Sequence, residues 1–359
     1  MSNAALFREL ITQCLEGREL SPEQVGAAVE ALVLEDSELE VKAQFLQALA
    51  AKGETSREIG AFVHALLAKA VRPEIDYAQY REPVIDVVGT GGDKLGMFNV
   101  SSTAMFVIAS AGVGVIKHGN RGITSKSGGA DVLEALGVPI TLGPEHLVDC
   151  FEKTGMAFIF APLYHPAFKV IGPVRKMLAE KGIPTVFNKL GPLLNPAQPK
   201  FQLAGVFSPS LMGTFADVLA GLGRENAWVI HGRVLDENGN DLGADELTPL
   251  GTNWVQAVEN GVRSEAMEIS PGHLPPLQPC TLNDLQGASG LANAEVLRAI
   301  LAGEDRGPRR DTTLLNAAAG LVVTRKATTL AEGFALAGEL VDNGAALAKL
   351  EAFASYRPF

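Results

Sequence analysis

The sequence predicts an α/β protein with a small all-helical domain and a larger α/β domain, whose mostly parallel central sheet is flanked by helices. Apolar residues recur at helical spacing through the first 72 residues. From residue 73 onward, short apolar runs typical of strands alternate with helical stretches, which is the order of a parallel sheet covered by helices. Two glycine-rich loops between residues 83 and 137 each follow an apolar strand. Open α/β sheets bind ligands at such strand ends.

The helical domain is predicted over residues 1–72. Ser21-Pro22-Glu23-Gln24 is typical of a helix start, with serine as the N-cap, proline at the first position and glutamine three residues after the cap. Thr55 begins another helix, which runs through Phe62 and Leu66. Because we find neither a glycine loop nor a catalytic pattern in this segment, we expect it to act as a scaffold or a subunit contact.

The larger domain is predicted over residues 73–359. Its strands are expected at Val84–Val88, Val113–Ile116, Ala157–Phe160, Thr185–Phe187, Gln202–Val206 and Ala227–Ile230. Residues 166–181 are predicted to form a helical insert between two of these strands, and residues 232–243 a polar hairpin or loop. From about Asn293 the pattern is helical again.

Composition and charge limit the possible classes of function. The formal net charge of −11 opposes general nucleic-acid binding, which needs a basic face. The three cysteines are far apart and lack metal-ligand spacing, so we expect reduced thiols. The N-terminal residues lack the apolar core of a signal peptide, and the most apolar window, Thr103–Ile116, is too short to cross a bilayer. We therefore expect a soluble, cytoplasmic protein that binds neither nucleic acid nor membrane.

The first glycine loop, GTGGD at residues 89–93, follows the first predicted strand. It matches neither a Walker A loop nor the dinucleotide fingerprint, and a turn with only a structural role is the alternative. Asn99, Ser101 and Ser102 stand at the start of the next predicted helix. An amide and two hydroxyls there could cap the helix, bind phosphate oxygens or supply a hydroxyl to Mg²⁺. Because helix starts favour anions, two of them on one sheet indicate a ligand with more than one phosphate.

The second glycine loop begins after the apolar strand GVGVI, with Lys117-His118-Gly119-Asn120-Arg121, and continues to residue 131. Four polar side chains at a strand end, followed by a loop of serine, threonine and glycine, favour a ligand site over a solvated turn. Asp131 and Glu134 lie in the first turn of the following helix. Since acids interact favourably with a helix N-terminus, these two are predicted to be helix-start charges.

Two further polar features are ambiguous from their spacing. Asp245 and Glu246 follow the strand AWVIHG through a glycine-rich loop and could reach the same edge of the sheet, although adjacent acids are often surface residues. Mg²⁺ bound with a diphosphate needs only one or two carboxylates, together with phosphate oxygens and waters. Arg175 lies on a helix with Lys169 and Lys176, and by spacing alone it is predicted to be solvated.

Several motifs occur in a fixed order: GTGGD, FNVSS, KHGNRGITSKSGGADVLEALG, FAPLYHPAF, PTVFNKLGPLLNPA and DEL. In this order and spacing the chain resembles the anthranilate phosphoribosyltransferases, the tryptophan-pathway members of the nucleoside phosphorylase-like glycosyltransferases. The resemblance runs essentially end to end and is most specific in residues 83–137 and 157–197. It implies Mg²⁺-dependent transfer of phosphoribosyl from 5-phosphoribosyl 1-diphosphate to the amine of anthranilate. It also implies a homodimer, and a helical domain that the insert 166–181 joins.

The resemblance implies roles for individual residues. The phosphoribosyl diphosphate site would contain Gly89, Thr90, Gly91, Gly92, Asp93, Asn99, Ser101, Ser102, Lys117, Asn120, Arg121, Gly122, Ile123, Thr124 and Ser125. Other substrate-binding residues would be Met97, Val100, Gly119 and Gly129. The Mg²⁺ ligands would be Ser101, Asp245 and Glu246. The anthranilate site would contain His118, Asn120, Arg175 and Gly191. Of these, His118 and Asn120 would orient the amine and Arg175 would hold the carboxylate, so no strong general base is needed.

The sequence departs from the family pattern at Lys94, Met97 and Gly129, and it carries an insertion at residues 233–242. A related transferase could keep the sugar-phosphate site and take another aromatic amine as acceptor. A pyrimidine nucleoside phosphorylase of the same fold is a second alternative, which the lack of that family's basic-residue–serine pair opposes. A non-catalytic relative that binds nucleic acid is a third, which the net charge of −11 and the acidic pair oppose.

Overall fold

The computed structural model describes residues 2–35, 38–93, 95–122 and 126–358. The chain divides into a helical unit, Met1–Arg72 with Ala161–Pro196, and a sheet unit, Pro73–Phe160 with Ala197–Phe359. In the described residues, the first unit contains helices and no strand, and the second contains a mostly parallel sheet with helices, which confirms the predicted fold class. Among the described residues, no helix combines the length and the apolar character needed to span a bilayer.

The helices and strands are numbered in chain order. The α-helices are α1 Asn3–Leu15, α2 Pro22–Leu32, α3 Leu39–Lys52, α4 Ser56–Leu67, α5 Val100–Ser110, α6 Gly129–Ala135, α7 Pro144–Thr154, α8 Ala161–Tyr164, α9 Ala167–Glu180, α10 Phe187–Leu190, α11 Met212–Gly221, α12 Gly290–Leu301, α13 Pro308–Val323, α14 Leu330–Asp342 and α15 Ala345–Ser355. The strands are β1 Val84–Gly89, β2 Gly114–Gly119, β3 Met156–Phe160, β4 Phe201–Gly205, β5 Asn226–Gly232, β6 Asn253–Glu259 and β7 Val262–Ile269.

The helical unit has the two predicted helix starts. Ser21 Oγ accepts a hydrogen bond from the backbone N–H of Gln24, while the Gln24 side chain accepts one from the Ser21 N–H, at 3.3 and 2.9 Å. Thr55 and Glu58 form the same reciprocal pair at 3.1 and 2.9 Å. Each arrangement satisfies backbone donors that the first helical turn leaves unpaired, which fixes where α2 and α4 begin.

The sheet unit is built on one sheet, in which the described strands follow the order β3-β2-β1-β4-β5-β6-β7. Strands β1 to β5 are parallel, and β6 and β7 are antiparallel. Four neighbouring strands, β2, β1, β4 and β5, end in Gly119, Gly89, Gly205 and Gly232. Because these strands are parallel, their carboxyl ends meet at one edge, where glycines leave room for other groups.

The structure corrects one predicted strand and adds two. Residues Thr185–Phe187 are not a strand, because the Thr185 N–H donates to the Asn188 side chain at 2.8 Å and the chain turns into α10. Strands β6 and β7 were not predicted. Residues along β7 are exposed except Ile269, so an alternating apolar pattern is lacking there.

Candidate active site

The two glycine loops leave the sheet at its carboxyl edge. The first, residues 89–98, connects β1 to α5, and the second, residues 119–129, connects β2 to α6. The helix after the first loop, α5, begins at Val100 with Asn99 as its N-cap, where the sequence predicted a helix start. Gly91 and Gly96 have φ angles of +65° and +66°, a conformation that favours glycine.

The carboxylate of Asp245 lies on the first glycine loop. Its Oδ2 accepts hydrogen bonds from the Gly91 N–H at 2.6 Å and from Thr90 Oγ1 at 3.1 Å. A Cβ at Gly89 would come within 2.6 Å of this oxygen, and a Cβ at Gly205 within 1.6 Å of the Asp245 carbonyl oxygen. The glycines that end β1 and β4 therefore permit this close approach, and the acidic pair lies at the same edge of the sheet as GTGGD.

Lys117 is a buried cation at the end of β2, with 4% of its surface exposed. Its Nζ donates to the carbonyl oxygen of Val87 and to Ser101 Oγ, the latter at 3.3 Å. Burial lowers the pKa of Lys117, and the charges of Asp86 and the acidic pair oppose that shift. The ammonium thus connects β1 and the first turn of α5 while acidic groups surround it.

Three carboxylates near the first loop are destabilised in their charged form. Burial and the charge of Asp245 raise the pKa of Asp93 to about 7. Burial raises the pKa of Asp245 in spite of the hydrogen bonds it accepts. Burial, and then the charge of Asp245, raise the pKa of Glu246 well above its usual range, while the charge of Lys117 opposes that shift. Such a local excess of negative charge favours a cation.

The residues present fit a Mg²⁺ ion that binds together with a diphosphate. Within the described ranges, no group of three or more His, Cys, Asp or Glu side chains could hold a metal ion. Mg²⁺ in a phosphate site requires fewer, because phosphate oxygens and waters complete its octahedron. Asp245, Glu246 and the Ser101 hydroxyl are hard oxygen donors, and a divalent cation would favour the charged form of two carboxylates whose pKa burial raises.

Ion pairs connect the two ends of the second glycine loop. Arg121 pairs with Asp131 at 3.2 Å and with Glu134 at 2.7 Å. Asp131 also accepts hydrogen bonds from the N–H groups of Gly122 and Gly128, each at 2.8 Å. Asp131 lies in the first turn of α6, as predicted, whereas Glu134 lies beyond that turn, and both acids hold the loop through Arg121. The predicted residues Ile123, Thr124 and Ser125, and the departure at Lys94, lie outside the described residues.

His118 and Asn120 lie on either side of Gly119, where β2 ends. His118 is 5% exposed, and its backbone N–H donates to Asp86 Oδ1 at 3.2 Å. Asn120 is exposed, and its side-chain Oδ1 accepts a hydrogen bond from the Arg121 N–H at 2.8 Å. Of the two residues predicted to face the acceptor amine, Asn120 is therefore the one accessible to solvent.

Four other predicted binding residues have packing contacts. Val100 is 1% exposed in a hydrophobic cluster with Phe98, and Met97 packs against the same cluster. Ser102 is also 1% exposed. A Cβ at Gly129 would meet Ser102 Oγ at 3.2 Å, so the glycine allows the second loop to approach α5. These contacts position the backbone of both loops.

Arg175 and Gly191 belong to the helical unit. The Arg175 guanidinium lies over the rings of Phe168 and Phe187, at 5.9 and 5.7 Å from their centroids. Burial lowers the pKa of Arg175. The prediction from spacing alone, a solvated arginine, was wrong, because the two aromatic side chains cover its guanidinium. Gly191 is exposed at the start of a short 3₁₀ turn.

Sequence reasoning missed two residues that contact Asn99. Asn99 Nδ2 donates to the Ser127 carbonyl oxygen at 3.2 Å, and its Oδ1 accepts from Ser127 Oγ at 3.2 Å and from Asn293 Nδ2 at 2.8 Å. Ser127 is 28 residues and Asn293 is 194 residues from Asn99. No motif contains Asn293, so the sequence carries no signal that connects it with the loops.

This site combines glycine loops, a buried lysine and paired carboxylates at the carboxyl edge of a parallel sheet. That combination is the architecture of α/β enzymes that act on phosphorylated small molecules. The chain belongs to the glycosyl transferase family: the family's α/β domain matches residues 81–347 and its helical bundle domain matches residues 8–70.

Several relatives are similar over nearly the whole chain. Anthranilate phosphoribosyltransferase from Roseiflexus castenholzii is 43% identical over 345 residues, 96% of each chain. The enzyme of the same name from Bradyrhizobium sp. strain BTAi1 is 41% identical and covers 96% of this chain and 97% of its own. Among solved structures, the anthranilate phosphoribosyltransferase from Thermus thermophilus has a TM-score of 0.84 at 38% identity, covering 96% of this chain and 98% of its own. The Saccharomyces cerevisiae enzyme, in complex with PRPP and Mg, has a TM-score of 0.84 at 26% identity over 97% of both chains.

Proposed function

We propose that this chain is an anthranilate phosphoribosyltransferase of tryptophan biosynthesis. In this reaction the anthranilate nitrogen bonds to the anomeric carbon of 5-phosphoribosyl 1-diphosphate, the bond from that carbon to diphosphate breaks, and the amine releases a proton. Relatives of that name, 43% and 41% identical, support the proposal. Within the chain, the observation that carries it is the Asp245 carboxylate held on the GTGGD loop, at 2.6 Å from the Gly91 nitrogen.

The two glycine loops and Lys117 are proposed to bind phosphoribosyl diphosphate. Backbone N–H groups in such loops and in the first turn of a helix favour phosphate oxygens, because they are unpaired and the helix dipole adds positive charge. Lys117 contacts elements next to both loops: its Nζ donates to Ser101 Oγ at 3.3 Å, and its Cε would lie 3.6 Å from a Cβ at Gly129. A bound phosphate would balance the buried ammonium.

Ser101, Asp245 and Glu246 are proposed to hold Mg²⁺ with the diphosphate. The ion, when bound, neutralises charge on the leaving diphosphate. The S. cerevisiae relative, whose structure contains PRPP and Mg, supports this ligand pair. In this chain, Ser101 lies in the first turn of α5, and its Oγ accepts a hydrogen bond from Lys117 Nζ at 3.3 Å.

From the resemblance, a contact with anthranilate is proposed for each of four residues: Arg175, Gly191, His118 and Asn120. The guanidinium of Arg175 presents a planar fork that fits a carboxylate, and the rings of Phe168 and Phe187 restrict its orientation. The exposed Asn120 amide is suited to orient the amine. Because that amine is a neutral nucleophile, alignment with the anomeric carbon and neutralisation of the leaving group lower the barrier without a strong base.

We also propose that the helical domain forms a homodimer contact. This domain would comprise residues 1–72 and the insert 166–181. Leu15, Leu34 and Leu39 are 73%, 47% and 43% exposed. A partner copy that covered these three side chains would remove apolar surface from water. Size-exclusion chromatography with light scattering should give twice the chain mass of 37.8 kDa, and a monomer at micromolar concentration would contradict the contact.

The reaction is tested by anthranilate fluorescence. Purified protein with anthranilate, phosphoribosyl diphosphate and Mg²⁺ should cause the fluorescence to fall, and a chelator should stop the fall. No change at saturating substrates would contradict the proposal. Turnover with another aromatic amine alone would favour a related transferase. Phosphorolysis of thymidine would favour a nucleoside phosphorylase, and a salt-sensitive DNA gel shift without turnover would favour a non-catalytic relative.

A further inference from the structure

Asn293, near the start of α12, lies against the beginning of α5 and outside every motif of the predicted site. It is 4% exposed. Its Nδ2 donates to Asn99 Oδ1 at 2.8 Å, and its Oδ1 accepts from the Ala288 N–H at 2.8 Å. Asn99 is hydrogen-bonded in turn to Ser127 in the second glycine loop. One chain of hydrogen bonds therefore joins α12, the N-cap of α5 and the end of that loop.

Backbone groups at both ends of this chain fix the orientation of the two amides. The Ser127 carbonyl oxygen can only accept, so Asn99 presents Nδ2 to it and Oδ1 to Asn293. The Ala288 N–H can only donate, so Asn293 presents Oδ1 to it and Nδ2 to Asn99. Reversing either amide would place two donors or two acceptors together. Asn293 therefore selects one orientation of the Asn99 side chain.

The segment that ends at Asn293 also holds the first glycine loop. We call residues 285–293 the brace segment. The N–H of Gly287 donates to the Gly96 carbonyl oxygen at 2.7 Å, and Gln286 Nε2 donates to the Leu95 carbonyl oxygen at 2.8 Å. The brace segment thus contacts the exit of the first loop and, through Asn99, the end of the second.

We infer that Asn293 is a positioning residue for phosphoribosyl diphosphate, because it fixes Asn99 and with it the spacing of the two glycine loops. The inference rests on the proposed function for its substrate. Loops that are ordered before binding lose less conformational freedom when the ligand binds. Freeing the Asn99 amide should therefore weaken the binding of phosphoribosyl diphosphate, while the affinity for anthranilate and the chemical step stay nearly unchanged.

The test uses Asn293→Asp in the full chain. Aspartate has the same shape and still accepts from the Ala288 N–H, but it presents a carboxylate oxygen to Asn99 Oδ1 and donates nothing. We expect the KM for phosphoribosyl diphosphate, and its Kd measured by calorimetry with Mg²⁺, to rise about tenfold, since one buried hydrogen bond is replaced by a repulsive contact. The kcat and the KM for anthranilate should change less than about threefold.

A matched control is Asn226→Asp, in the same unit. Asn226 is 6% exposed, and its Nδ2 donates to the Val323 carbonyl oxygen at 2.7 Å at the amino end of β5. It should lower the melting temperature without changing either substrate constant. Asn293→Ala, which adds no charge, should give the same split between the two KM values and serves if the aspartate variant does not fold.

A double-mutant cycle tests the route through Asn99. In an Asn99→Ala background, Asn293→Asp should cause no further loss of phosphoribosyl diphosphate binding. A full additional loss in that background would overturn the inference, as would an unchanged KM and Kd in Asn293→Asp alone. A wild type that binds phosphoribosyl diphosphate but does not use anthranilate would overturn the proposed function and not this inference. A wild type that does not bind phosphoribosyl diphosphate would overturn both.

Discussion

Both units of the chain bury carboxylates, but they surround them differently. In the helical unit, Glu58 is fully buried and its two oxygens have separate partners. One oxygen lies 2.7 Å from Lys52 Nζ and accepts from the Thr55 N–H at 2.9 Å, while the other accepts from the Leu20 N–H at 2.9 Å. A cation and two backbone donors balance this charge, which is how a buried ion contributes to a stable fold.

The acidic pair of the sheet unit has like charges among its neighbours. Asp245 has two hydrogen-bond donors on the first glycine loop, yet its charge raises the pKa of both Asp93 and Glu246. Such an arrangement costs stability in the absence of a ligand and favours a bound cation. Burial alone therefore does not identify a functional carboxylate: the acidic neighbours of Glu246, whose effect Lys117 only partly opposes, distinguish it from Glu58.

Replacing one buried glutamate by glutamine in each unit should affect activity and stability in opposite ways. Glu246→Gln should lower kcat/KM on the order of a thousandfold, because it removes a proposed Mg²⁺ ligand next to the diphosphate. The ligand-free melting temperature should stay the same or rise, since a like charge is removed. Steady-state kinetics and thermal unfolding measure the two effects. Full activity in the variant, or a large loss of ligand-free stability, would contradict the assignment.

Glu58→Gln, the matched substitution in the helical unit, should reduce stability instead. It leaves the buried Lys52 without its carboxylate, and breaking a buried ion pair from one side costs about 3 kcal/mol. Chemical denaturation should show this loss in the free energy of unfolding, while kcat of the folded protein stays near the wild-type value. A variant as stable as the wild type but inactive would place Glu58 in the site and remove the contrast.

Local sequence patterns predicted much of the fold. The helix starts at Ser21 and Thr55 form as expected, because a capping box depends only on residues within one turn. The buried parallel strands were also recognisable from short apolar runs. The interpretation failed at two segments: Thr185–Phe187 turns into a helix through the side chain of Asn188, three residues from Thr185, and the exposed β7 lacks an apolar pattern.

The site was predictable only in part, because some of its contacts join residues that are far apart in the sequence. GTGGD and the Lys117–Arg121 segment carry chemistry in consecutive residues, so a motif reveals them. Asn293 is 194 residues from Asn99 and lies in an ordinary helix start, so only the folded chain brings the two together. The contacts of Arg175 with Phe168 and Phe187 also depend on packing, which a helical spacing rule does not describe.

The two units also differ in what surrounds a buried cation. Burial lowers the pKa of Lys117 in the sheet unit and of Arg175 in the helical unit, but Arg175 lies over aromatic rings. Arg175→Lys keeps the charge and loses both the fork and the stacking, so the KM for anthranilate should rise about tenfold. The KM for phosphoribosyl diphosphate should not change. Equal increases in both constants would count against a role in holding the anthranilate carboxylate.

The smallest expected effect concerns His165, a neutral buried group in the unit that holds the charged Glu58. Its Nε2–H donates to the Leu194 carbonyl oxygen at 2.8 Å, and burial lowers its pKa to about 4. The unfolded chain, with an ordinary histidine pKa of about 6.5, therefore binds a proton between these values that the folded chain does not. The stability that neutral His165 contributes is complete above about pH 6.5 and is lost as the pH falls toward 4, by at most about 1.4 kcal/mol per pH unit.

His165→Gln tests this pH dependence, because glutamine keeps a donor for Leu194 and does not titrate. The melting temperature of the wild type minus that of the variant should decrease from pH 8 to pH 5, since the other titrating groups are common to both proteins and cancel in the difference. A difference that stays constant over this range would mean that His165 binds a proton equally well in the folded and in the unfolded chain. Buried neutral and buried charged groups of the helical unit would then not differ as the structure indicates.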